Sequence, residues 1–82
     1  MKTTEDDLRQ LLADVFGVGI DEITDDASID TIEPWDSLKH LNMVLALEER
    51  FAVSFTEQET VEILNYELVR ATLREHGVEF IA

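Results

Sequence analysis

Trp35-Asp36-Ser37-Leu38-Lys39-His40-Leu41-Asn42-Met43-Val44-Leu45-Ala46-Leu47-Glu48-Glu49-Arg50-Phe51 is the stretch that decides the fold. No Gly or Pro interrupts it, and Asp36 or Ser37 can accept hydrogen bonds from the free N–H groups of a helix start. The spacing therefore predicts a helix from Asp36-Ser37 to about Phe51. At about 100° per residue, Leu41, Val44, Leu47 and Phe51 fall on one side, the expected core face. Leu38, Leu45, Asn42 and Glu49 form an adjoining, half-exposed strip.

Upstream, Leu8, Leu11, Leu12, Val15 and Phe16 have the spacing of one helical face. Thr3 or Thr4 opens that segment with acids in the first turn, and Gly17 closes it, so helix one is expected from about residue 4 to 16. From Gly17 to Trp35 lies a connection rich in Asp, too long to be structureless in so small a chain unless its aliphatics (Val18, Ile20, Ile23, Ile29, Ile32) pin it down. Downstream, Thr56-Glu57-Gln58-Glu59 has the pattern of a capping box before Val61, Ile63 and Leu64, which predicts a short third helix. Asn65 is the natural cap of a last helix whose Tyr66, Leu68, Val69, Thr72 and Leu73 share a face, ending at Gly77. The tail Val78 to Ala82 is apolar enough to pack back, and Val53-Ser54-Phe55 is too short to count as a strand. The expected fold is all-α, a four-helix bundle with a long loop between helices one and two and a short third helix, in a single domain over 1–82.

The chain has 82 residues, 45% of them apolar, which suits one compact core with a stability of about 4–12 kcal/mol and little room for a deep active site. Asp and Glu number 19 against 6 Lys and Arg, a formal charge of −13. Such a surface repels nucleic acid and anionic membranes and attracts basic protein surfaces. There is no cysteine, so any thiol used here is imported. The segment Met1 to Asp7 is acidic and without an apolar signal core, and the uncharged run Leu41 to Leu47 is too short to span a bilayer. A monomeric cytoplasmic protein is the expectation.

Ser37 is the candidate for chemistry. A serine in the first turn of a helix has free N–H groups and the positive end of the helix dipole beside its hydroxyl, so a phosphate esterified there would be stabilised. On position alone, capping is the commoner role of such a serine. His40, one turn on, lacks the acid partner a catalytic base needs. Trp35 is expected to pack the loop onto the bundle. The acidic run Asp21 to Asp30 lacks the spacing of a calcium loop.

Asp36-Ser37-Leu38, followed by Leu41, Val44, Leu47-Glu48-Glu49 and Phe51, resembles the signature of the acyl carrier protein family. Phe55, Glu57-Gln58-Glu59 and Ile63 continue the likeness into the short third helix. The resemblance implies a carrier rather than an enzyme, with 4′-phosphopantetheine attached covalently to Ser37 by a phosphopantetheinyl transferase. The arm's thiol would hold acyl groups as thioesters for acyl-loading and acyl-transferring enzymes with basic docking surfaces. By the same resemblance Asp36 caps the helix and helps dock the transferase near its magnesium, Leu38 and Leu45 are apolar anchors, and Glu48 and Glu49 meet basic partner residues. Small residues at Ala46 and Ala71 would permit a short acyl chain between helices. Trp35 stands where many fatty-acid carriers have a small residue, and Lys39, Asn42 and Arg50 stand at positions often acidic there. This looks more like the carriers of specialised pathways. The cargo stays open between fatty acyl, polyketide-type and aminoacyl groups, and the rival reading is an unmodified acidic adaptor for a basic partner.

Overall fold

A computed structural model describes residues 1–81. Ala82, the last residue of the tail expected to pack back, lies outside the described residues. In chain order the elements are β1 (Lys2–Thr4), α1 (Glu5–Phe16), a single 3₁₀ turn (Ile20–Glu22), α2 (Ser37–Phe51), α3 (Glu57–Glu62), α4 (Tyr66–Glu75) and β2 (Glu79–Ile81). Each helix starts where a side chain can receive its orphan N–H groups. Thr4 accepts from Asp7 N, Asp36 from Lys39 N, Thr56 from Glu59 N and Asn65 from Leu68 N. At Thr56 the box is reciprocal, with Glu59 accepting from the Thr56 N–H. Gly17 ends α1 at a φ of 72°, and Ala52 ends α2 at 54°, a left-handed conformation that costs an alanine more than a glycine. Among the described residues no helix is long and apolar enough to cross a membrane.

The core is the expected bundle interior with one rotation. Leu8, Leu12, Ala13 and Phe16 of α1 pack with Met43, Val44, Leu47 and Phe51 of α2 and with Tyr66, Val69 and Leu73 of α4. Leu41, expected in the core, is 51% exposed, whereas Met43 is fully buried. The wheel explains the difference. Met43, Leu47, Phe51 and Val44 span an arc of only about 100°, and Leu41 lies about 60° beyond its edge. Leu68, expected on the core face of α4, is likewise exposed.

The long connection is pinned as anticipated, through Ile23, Ala27, Ile32 and Trp35, all buried, while Ile20 and Ile29 remain exposed. Backbone bonds from Ile29 N to Leu64 O and from Tyr66 N to Ala27 O tie it to the start of α4. Arg9 adds a polar clamp. Its guanidinium donates to Ile23 O, bridges Glu5 and Asp25 and lies 4.4 Å above the Tyr66 ring. Glu5 accepts from Arg70 at 2.6 Å and from the Tyr66 hydroxyl at 3.0 Å.

These contacts make stability depend on pH at both ends. The Arg70 hydrogen bond holds Glu5 below its usual range, and Arg9 does the same for Asp25. Thr56 N–H and His76 lower Glu59. A carboxylate depressed in the folded state stabilises it above its unfolded pKa and loses that contribution as pH falls through the folded value. Burial, then the Glu5 hydrogen bond, pushes the Tyr66 phenol up to about 12. Its contribution is complete below its unfolded pKa near 10 and is lost as pH rises toward 12. The melting temperature is expected to be flat between about pH 5 and 10 and to fall on both sides. Tyr66→Phe should remove most of the alkaline limb, which circular-dichroism melts at pH 9 and 11 check.

The expectation of no strands is corrected by a parallel pairing of the chain's two end segments, with Lys2 opposite Glu79, Thr3 opposite Phe80 and Thr4 opposite Ile81. Three-residue strands carry too few positions for a period-two pattern to show in sequence. Val78 turns inward after Gly77 (φ 90°), and Phe80 packs against the core, which brings the two strands together.

Candidate functional site

Ser37 is the first residue of α2 and is exposed. The cap is provided by Asp36, whose Oδ1 accepts from Lys39 N at 2.8 Å, and the Asp36 carbonyl takes His40 N at 2.8 Å. The serine is thus relieved of the capping role that position alone suggested for it. Among the described residues the Ser37 hydroxyl has no hydrogen-bond partner, and neither do the Ser37 and Leu38 N–H groups. The first turn of α2 contains no acid. A group esterified to this oxygen displaces nothing, and a phosphate there meets unmatched donors and the positive end of a 15-residue helix. The site therefore fits a phosphodiester-linked arm.

The corner that presents Ser37 is rigid. Trp35, 3% exposed, stacks on Phe16 with ring centroids 4.6 Å apart, and its N–H donates to Ile32 O. Its indole N–H donates to His40 Nδ1 at 3.1 Å, and His40 Nε2 lies 2.7 Å from Thr60 O on α3. His40 is therefore fully engaged and is not a base for Ser37.

Beyond Ser37, the structure brings Leu38 and Leu45 together with Leu41 along one side of α2, at 66%, 55% and 51% exposure. Spacings of three and four residues make them one continuous apolar ridge. The wheel expectation missed that ridge by placing Leu41 inside. Glu49 is exposed at its far end. Glu48 is half-buried, and one carboxylate oxygen accepts Phe55 N–H at 2.8 Å, bracing the turn after α2. α2 itself carries Lys39, Glu48, Glu49 and Arg50, which cancel in charge although the whole chain is −13.

The two small residues expected to leave room for an acyl chain line different surface grooves. Ala46 lies with Leu11, Val15 and Arg50 in a groove of about 290 Å³ between α1 and α2. Ala71 lies with Val61, Leu64, Leu68 and Thr72 in one of about 500 Å³ between α3 and α4. Among the described residues no group of three or more His, Asp or Glu side chains is arranged to hold a metal ion.

Comparison with known proteins agrees with this geometry. The family described as "Phosphopantetheine attachment site" matches residues 6–67, from α1 to the start of α4. A curated relative, polyketide-8 synthase acyl carrier protein 2 of Streptomyces avermitilis, is 34% identical over 73 residues, covering 84% of each chain. On that match and that identity the chain belongs to the acyl carrier protein family, whose members bear a covalent 4′-phosphopantetheine arm and act as carriers rather than catalysts.

Proposed function

We propose that Ser37 is the arm-bearing residue and that the chain carries acyl groups as thioesters between enzymes of a polyketide-type pathway. The observation that carries this reading is the exposed, unengaged Ser37 hydroxyl at an α2 N-terminus capped by its neighbour. In the loading step a transferase brings coenzyme A to this corner. The Ser37 oxygen attacks the phosphorus on the pantetheine side, the pyrophosphate bridge bond breaks, and adenosine 3′,5′-bisphosphate leaves. The hydroxyl proton passes to a base on the transferase. Once bound, the arm supplies the thiol that this cysteine-free chain lacks. The α2 N-terminus then faces the phosphodiester, and the Leu38, Leu41 and Leu45 ridge lies where each partner must approach. Asp36 and Glu49, both exposed, flank that ridge and meet basic groups of partners.

The polyketide assignment rests on the name of the S. avermitilis relative, and the charge-neutral α2 supports partners other than the housekeeping fatty-acid enzymes. Intact mass after incubation with coenzyme A and a broad-specificity phosphopantetheinyl transferase tests the reading. A gain of one arm, located by fragmentation to the Trp35–Leu41 segment, is the expected result. No gain, or a gain elsewhere in the chain, would overturn it.

A further inference from the structure

His40 joins the end of the long connection to α3 through both of its ring nitrogens. Trp35 Nε1–H donates to its Nδ1, so Nδ1 carries no proton. Nε2 must then carry it and donate to Thr60 O. The acceptor is an orphan of the helix end, since Leu64 N, four residues on, bonds to Glu62 O instead. The Trp35 and His40 rings lie 6.2 Å apart and 19° from parallel, and Trp35 stacks in turn on Phe16. A line of contacts therefore runs from Phe16 of α1 through Trp35 and His40 to Thr60 of α3, and Ser37 sits beside it on the chain, two residues from Trp35 and one turn from His40. α3 has only six residues and buries none of them, and the His40–Thr60 bond and the His76–Glu59 contact are the side-chain ties that reach it from the neighbouring helices among the described residues.

We propose that His40 is a positioning residue for arm transfer. In its neutral form it ties the Trp35–Ser37 corner to α3, and so fixes the direction in which the Ser37 hydroxyl meets the phosphorus of coenzyme A. The inference rests on the reading of Ser37 as the attachment residue. Its role depends on the two ring nitrogens rather than on ring bulk, which separates it from ordinary packing. A displacement of about 1 Å at a reacting oxygen can lower a rate by up to about a hundredfold, so a loosened corner is readable in kinetics.

The experiment compares wild type, His40→Phe, His40→Asn and His40→Gln with coenzyme A and one transferase, well below the melting temperature of each. Phe keeps a flat ring in the same place and loses both nitrogens. Asn keeps an acceptor for Trp35, and Gln keeps a donor for Thr60. Expected for His40→Phe is a fall in kcat of about tenfold, with KM for the carrier within about twofold, because docking through the α2 ridge is untouched. Asn and Gln should each recover part of the loss, and the Trp35 indole N–H resonance should move in Phe and Gln but less in Asn. A folded His40→Phe carrier loaded at the wild-type rate overturns the inference and leaves the Ser37 reading standing. No loading of the wild type overturns both.

Discussion

Ser37→Ala is expected to gain no mass with coenzyme A and any transferase that loads the wild type, while its melting curve stays within about 0.5 kcal/mol of wild type. The two halves of this result follow from separate features. With Ser37 as the proposed attachment residue, loading needs its hydroxyl oxygen, which no neighbouring side chain can replace in the first turn of α2. The fold does not need it, because Asp36 rather than Ser37 receives the Lys39 N–H and the hydroxyl is exposed. Asp36→Ala should do the reverse. Losing the cap costs about 0.5–2 kcal/mol, yet the carrier still reaches one arm at completion. Loss of loading in Asp36→Ala with full loading of Ser37→Ala would mean that the modified oxygen lies elsewhere.

Trp35→Ala is expected to be the most damaging single change near the site. Truncating a buried aromatic costs about 3–5 kcal/mol, against about 4–12 kcal/mol for a domain of this length. At roughly 5 °C per kcal/mol the melting temperature should drop by about 15 °C or more. The loss combines the Phe16 stack, the hydrogen bond to His40 and the apolar plug that holds the end of the long connection. Trp35→Phe restores volume and stacking without the N–H and should recover most of it. A Trp35→Ala protein melting within a few degrees of wild type would show that the connection is held by Ile23, Ala27 and Ile32 alone.

The helices were legible in the sequence because each is announced by local chemistry. Thr3 or Thr4, Asp36 or Ser37, Thr56 and Asn65 could be read as caps before any contact was known, and the structure selects Thr4 and Asp36 from the two pairs. The case for Ser37 had a different source, since the frame of residues around it, and not its position, set it apart from a common cap. What stayed hidden depends on partners distant in the chain. Leu41 and Met43 are both plausible core residues on a wheel, and only the arc shared with α1 and α4 selects Met43. Glu48 reads as a free surface charge until the turn after α2 brings Phe55 N to it. The Arg9, Glu5, Arg70 and Tyr66 clamp joins positions up to 65 residues apart, and nothing in the spacing of those residues forecasts it.

The parallel pairing of Lys2–Thr4 with Glu79–Ile81 joins the segment before α1 to the one after α4. Its contacts have the greatest sequence separation among the described residues, so the entropy of closing the loop has to be met before they give anything back. The helices can nucleate locally, but this seam can form only after α1 and α4 are side by side. It is therefore expected to be the last join made in folding and the first to open, so its amides should exchange with solvent faster than those of α1 and α4.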